Sequence, residues 1–242
     1  MVLRLGPLMT LSEKYALVTG GTGGLGSVVA QRLCDEGCSV AISYRGEKDL
    51  NRLPQSLRDR TKAFKADVTD EADVHSLFDV VTGSLGGIDI VVNTVGGYLP
   101  QRVIADTSVD DWDLMMDINL KSAFLSTREA LRRMRGRSYG RIINIAAMVG
   151  LKPTPGRAAY AISKAGVALL TDLAAQEARG SGITVNAIAP SIIATAANLE
   201  SMPDEDSAKW VTPDQLADLI CFLCSASASA ITGTTVKAYG GM

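Results

Sequence analysis

The sequence predicts an α/β fold: a doubly wound parallel sheet with helices on both faces. Two observations predict it. Short β-branched runs alternate with longer segments of helical period along the whole chain. The run "GIDIVVN" at 87–93 has the nearly continuous apolar character of a strand covered on both sides. Strand, helix and strand repeated this way imply right-handed crossovers and a parallel sheet.

The elements follow in order. "YALVTG" (15–20) reads as the first strand, and "GSVVAQRLCDEG" as a helix ending near Gly37. "SVAISY" (39–44) is the second strand, and "TKAFKADV" contains the third. "DEADVHSLFDVVTGSL" is a helix, and "GIDIVVN" the fourth strand. A long helix is expected over 107–134, opened by Ser108 with Asp110 and Asp111 in its first turn, where carboxylates suit the helix dipole. "GRIINIAA" is the fifth strand, "GRAAYAISKAGVALLTDLAAQEARG" a helix, and "ITVNAIAP" the sixth strand. "TPDQLADLICFLCS" is the last helix and "TTVKAY" the last strand.

At 242 residues and 47% hydrophobic, the chain suits one large domain, 1–242, and is short for two. Residues 1–12 read as an N-terminal extension, because Gly6 and Pro7 interrupt the apolar run and no small-residue cleavage site follows. A formal net charge of −2 gives no reason to expect nucleic acid or an anionic membrane as partner. No apolar run is read as reaching the roughly 18 residues of a membrane span. Cys221 and Cys224 form a C-x-x-C, but their helical neighbours are Leu, Ile and Phe, so both read as small buried hydrophobes. With Cys34 and Cys38 also unpaired in this reading, a cytoplasmic location is expected. His75 is the only histidine, and no His, Cys and carboxylate cluster has metal-ligand spacing. Between Ala158 and Thr171 the sole charged residue is Lys164. A helix apolar nearly all round needs a second cover, so a homo-oligomer is expected.

The first strand runs into "TGGTGGLG" (19–26) and then a helix. Glycines here allow a tight turn and close approach of backbone N–H groups to a pyrophosphate, at a helix N-terminus. Gly20, Thr22, Gly24, Leu25 and Gly26 are therefore cofactor candidates. The second strand ends at Tyr44 and Arg45, where an NAD site would place an acidic side chain. Arg45 is suited to a 2′-phosphate, which favours NADP(H) over NAD(H). Asp67, followed by Val68, is placed to reach the adenine, or else caps the following turn. Tyr160 and Lys164 stand four apart on a helix and share a face. A nearby ammonium stabilises phenolate, so Lys164 is expected to lower the Tyr160 pKa and make it an acid for an incipient alkoxide.

Together "TGGTGGLG", "ADVT", "NTVGG", "INLKSAF", "YAISK" and "NAIAPSIIAT" resemble a short-chain dehydrogenase/reductase over about residues 12–242. The resemblance implies a Rossmann-type sheet of about seven parallel strands, a nicotinamide cofactor and a homotetramer or homodimer. It implies cofactor contacts from Asn93, Gly96, Pro190, Ile193 and Thr195, with Ser191 in place of a usual Gly. It matches Asn119 to a catalytic-site Asn that holds a helix kink, and Tyr160 and Lys164 to the Tyr-x-x-x-Lys pair. Where the family usually has a serine, thirteen residues before the Tyr, this chain has Ala147. Loss of such a donor typically costs about 10²–10³ in rate. Thr94, Tyr98, Gln101 and Thr154 are candidate substitutes.

"VGGYLPQ", Ala147, "PTPGRAAYAISK" and "ANLESMPDEDSAKWVTPDQLA" also resemble the dihydropteridine-reductase branch, which keeps Tyr-x-x-x-Lys without the serine. That resemblance implies a substrate whose charge spreads over a quinonoid ring, and a substrate loop over 196–210 closed by Trp210. Trp112 reads as packing and the acidic 203–207 run as a solvated loop. The leading expectation is an NAD(P)H-dependent reductase of a carbonyl or quinonoid small molecule. The alternatives are a 3-oxoacyl or sugar-type alcohol dehydrogenase and, from another class, an NADP(H)-binding sensor or scaffold.

Overall fold

Each strand of the computed structural model, which describes residues 11–241, sends successive side chains to opposite faces of one sheet. The strands are β1 (Tyr15–Thr19), β2 (Ser39–Tyr44), β3 (Thr61–Lys65), β4 (Ile90–Asn93), β5 (Gly140–Ile145), β6 (Ile183–Pro190) and β7 (Thr235–Ala238). All neighbouring pairs are parallel, in the order β3-β2-β1-β4-β5-β6-β7. The order reverses between β1 and β4, and such a switch point opens a crevice at the carboxyl ends of the strands.

Among the described residues, ten α-helices accompany them. They are α1 (Gly26–Asp35), α2 (Glu47–Arg52), α3 (Gln55–Arg58), α4 (Glu71–Leu85), α5 (Val109–Met115), α6 (Ser122–Met134), α7 (Met148–Leu151), α8 (Ala158–Glu177), α9 (Ala196–Ser201) and α10 (Pro213–Cys224). On one face α1 and α10 cover Ala16, Val18, Ile42 and Val92. On the other, α4, α6 and the end of α8 cover Leu17, Ala41, Val91 and Val185. Both faces are therefore buried, which is why these strands read as continuous apolar runs.

The helix starts follow local chemistry. Ser108 accepts from Asp111 N to cap α5, and Asp70 accepts from Asp73 N to cap α4. Thr212 and Gln215 form a reciprocal capping box with Pro213 in the first turn of α10. Cys221 and Cys224 lie buried with Cys38 in the core, and all four cysteines are free. Burial pushes the Cys38 and Cys221 thiols up to about 12, which makes them inert hydrophobes.

Three expectations need correction. The helix expected over 107–134 is broken by a π-helical segment, Met116–Lys121, between α5 and α6. The cause is Asn119, whose side chain is held outside the helix, as described below. Helix α8 is also long and apolar enough to cross a membrane by length and composition, but 44% of that window is buried against the protein. Trp112 is 38% exposed on α5 rather than packed inside. Residues 1–10 of the expected N-terminal extension lie outside the described residues; Leu11 is buried against α1 and β2.

Candidate active site

Two adjoining cavities open at the carboxyl end of the sheet, sharing Thr94 and Gly96 after β4. The outer one, about 510 Å³, is lined by Gly20, Thr22, Gly24, Tyr44, Arg45, Asp67 and Val68, among others. The inner one, about 500 Å³, is lined by Leu25, Tyr98, Ala147, Tyr160, Lys164, Pro190 and Ile193, among others. Most of the residues singled out from sequence thus converge on one continuous crevice.

Close approach of backbone shapes that crevice. A Cβ on Gly26 would sit 2.2 Å from the Gly20 carbonyl oxygen, so the first turn closes only on glycine. A Cβ on Gly96 would sit 2.8 Å from Asn119 Oδ1 and 3.0 Å from Lys164 Nζ. The Asn119 side chain explains the tightness. Its Oδ1 accepts from Gly97 N at 3.0 Å, and its Nδ2 donates to Gly97 O at 3.0 Å and to Ser163 Oγ at 3.2 Å. One amide therefore ties the loop after β4 to α8, and the helix widens to a π turn to deliver it, a distortion often found at functional sites.

Tyr160 and Lys164 sit on α8 with Lys164 fully enclosed, its Nζ donating to Ile145 O at 2.8 Å. Burial pulls the Lys164 pKa down to about 8. Burial also raises the Tyr160 phenol, opposed by the charge of Arg157. The expected lowering of Tyr160 by Lys164 is not seen. The ammonium is bonded to a carbonyl, and burial disfavours the charged form of both groups.

Most of the candidate donors near Ala147 are already committed or lie elsewhere. Ala147 is extended and caps α7 without a side-chain bond. The Thr94 hydroxyl lines the cavity but donates to Thr19 O at 2.6 Å. Ser191 Oγ donates to Tyr239 O at 2.9 Å. Thr154 and Gln101 are exposed and line neither cavity. Of the four substitutes, only Tyr98 presents an uncommitted hydroxyl to the inner cavity.

Other placements differ from expectation. Asn93 is buried, bonded through Nδ2 to Asn144 Oδ1 at 2.8 Å, and lines neither cavity. Thr195 caps α9 by accepting from Asn198 N and lines neither cavity; its Cβ and methyl group lie beside Gly24. Asp67 accepts from Thr69 N and Oγ1, so it caps its turn while still facing the outer cavity, and these bonds hold its carboxyl below the usual range. Trp210 is 5% exposed and packs away from both cavities; from the expected substrate loop it is Asn198 and Met202 that line the inner one. His75 lies on α4 between Asp79 and Glu129, far from the crevice in the fold. Sequence reading missed Arg157, which lines the inner cavity three residues before Tyr160. Its position at the start of α8, one helical turn from the phenol, is the signal that points to it.

A family model described as enoyl-(acyl carrier protein) reductase matches residues 20–242. A short-chain type dehydrogenase/reductase from Mycobacterium ulcerans superposes with a TM-score of 0.91 at 26% identity, covering 96% of this chain and 90% of that one. The chain belongs to the short-chain dehydrogenase/reductase family.

This short-chain dehydrogenase/reductase is similar to the 3-oxoacyl-[acyl-carrier-protein] reductase FabG of Vibrio cholerae serotype O1, at 32% identity over 97% of this chain and 99% of the relative. It is similar at 32% identity to Nodulation protein G of Rhizobium sp. strain N33, over 97% of this chain and 99% of the relative. An NAD+-bound xylitol dehydrogenase structure superposes with a TM-score of 0.87 at 28% identity, covering 95% and 99% of the two chains. The protein is an NAD(P)-dependent oxidoreductase. The residues present fit a dinucleotide. The Gly20–Gly24 backbone, the β2 end and the Ala66–Val68 turn wall the outer cavity, and Gly96 leaves room between it and the inner one.

Proposed function

We propose that this short-chain dehydrogenase/reductase is an NADPH-dependent reductase of a carbonyl or quinonoid small molecule, with Tyr160 as the proton donor. The observation that carries it is the Tyr160 phenol opening into the same cavity as Lys164, beside an Ala147 wall that offers no hydroxyl. The cofactor supplies the hydride when bound. Burial keeps Tyr160 protonated at neutral pH, the state an acid needs. Lys164 is placed to hold the nicotinamide ribose and Asn119 to keep the Gly96–Gly97 wall in register. Pro190 and Ile193 line the inner cavity and would meet the nicotinamide carboxamide. A quinonoid substrate suits Ala147, because delocalised charge asks less of a localised donor.

The preference for NADPH rests on Arg45. It is exposed on the outer cavity and no ion pair holds it among the described residues, whereas Asp49 is paired with Arg52 at 3.3 Å. We further infer a homodimer or homotetramer, because Ile162, Leu169 and Leu173 expose an apolar stripe on α8. The four free cysteines accord with a cytoplasmic location. A 3-oxoacyl reductase is the second reading, favoured by the names of the curated relatives.

The test is oxidation of NADPH against ketones, 3-oxoacyl thioesters, quinones and quinonoid pterin. Tyr160→Phe is expected to lower turnover by about 10²–10⁴ while NADPH binding persists. NADPH binding with no turnover on any of them would overturn the enzyme reading in favour of a sensor or scaffold.

A further inference from the structure

The inner cavity contains a charge that the chemistry above does not use. Its lining holds Arg157 and Lys164 and no Asp or Glu. Lys164 is spent on the Ile145 carbonyl. Arg157 has no ion pair and no side-chain hydrogen bond among the described residues; Asp111, the carboxylate near it across a smaller neighbouring pocket, is paired with Arg102 at 3.4 Å. The backbone that carries Arg157 is held in place. Its carbonyl accepts from Ala161 N at 2.8 Å, and Arg102 N donates to the adjoining Gly156 O at 2.8 Å.

The neutral donors around the cavity are mostly spent as well. Thr94 and Ser191 bond to backbone carbonyls, and Asn198 Nδ2 donates to Ile193 O at 2.8 Å. What is left to meet a substrate is the two phenols, Tyr98 and Tyr160, and one guanidinium. A partly enclosed cation without an anion favours a ligand that brings one, and a guanidinium pairs a carboxylate through two parallel bonds.

We propose that Arg157 is the specificity-determining residue of this site, binding a carboxylate on the substrate, so that the enzyme acts on small oxo acids or carboxylated quinonoid rings. This assignment rests on the reductase reading for its substrate but not for its binding test. The Ala147 wall gives the anion's carbon frame the space a serine side chain would take. Arg157 and Tyr160 line the same two pockets, one helical turn apart.

The test measures binding rather than turnover. The NADP+-loaded protein is titrated calorimetrically with benzoate and with its neutral isostere benzamide. Benzoate is expected to bind at least about tenfold more tightly, the ratio a charge-assisted pair gives. In Arg157→Gln the benzoate advantage is lost while benzamide affinity stays within about twofold, and Arg157→Lys keeps part of it because the charge remains without the fork. Unchanged NADP+ affinity in both variants shows that the site is folded. Equal binding of the two probes by the unaltered protein, binding of neither, or an advantage that survives Arg157→Gln would overturn the assignment. Carboxylate selectivity without turnover of any oxo acid or of any member of the ketone, thioester, quinone and pterin panel would instead sink the reductase reading and leave this one standing.

Discussion

Replacing Asn119 by alanine removes the amide that joins the loop after β4 to α8. Four hydrogen bonds disappear: from Gly97 N, and to Gly97 O, Ser163 Oγ and Met115 Sδ. Asn119 itself is 1% exposed, so a small void replaces it. A buried group left without its partner costs about 1–3 kcal/mol. Gly97 is half-buried and water can reach part of it, so the two Gly97 groups together cost about 2–4 kcal/mol. For a chain of this size that lowers the melting midpoint by roughly 4–16 °C. The loss is also functional, because Gly96 and Gly97 wall the inner cavity and Gly96 borders the outer one. Thermal melts of Asn119→Ala with and without saturating NADPH check this. The expected result is a lower midpoint and a smaller rise on adding NADPH, since bound ligand stabilises by mass action. A midpoint within about 2 °C of the unaltered protein, together with an unchanged NADPH-induced rise, would refute the role given to this amide.

Two further outcomes follow from the geometry. Burial holds Lys164 at about 8 in the folded chain against 10.5 when exposed, so between those values only the unfolded chain carries the proton. Stability is therefore present above the unfolded value and is lost as pH falls through the folded one; urea midpoints should rise between pH about 8 and 10.5, and Lys164→Met should flatten that rise. If the two proteins keep parallel profiles, Lys164 is not the group responsible. On α8, Leu169 and Leu173 are 60% and 50% exposed, and placing glutamate at both is expected to shift the solution mass toward the monomer, read by light scattering. An unchanged mass would move the interface elsewhere.

The sequence carried the layer order and the phosphate turn without help. The alternation of β-branched and helical segments is a local property, and so are Ser108, Asp70 and the Thr212–Gln215 box that start their helices. The Tyr160–Lys164 pairing was legible too, since residues four apart share a helix face whatever surrounds them. What each side chain does with its polar atoms was not legible. Asn93 and Thr94 look alike as cofactor or substrate donors in the string, yet one is locked to Asn144 and the other to the Thr19 carbonyl.

Those commitments join residues far apart in the chain, so only the folded chain reveals which donors are already spent. The same holds for desolvation: that burial disfavours the charged forms of both Lys164 and Tyr160 depends on how α8 packs against the sheet and the loop after β4. Sequence alone determined a dinucleotide fold with Tyr160 and Lys164 on one helix face. Tertiary structure alone decided that Trp210 turns inward, that Asn119 opens the helix into a π turn, and that the free cation of the cavity is Arg157, because burial and partner choice are settled by contacts across the fold.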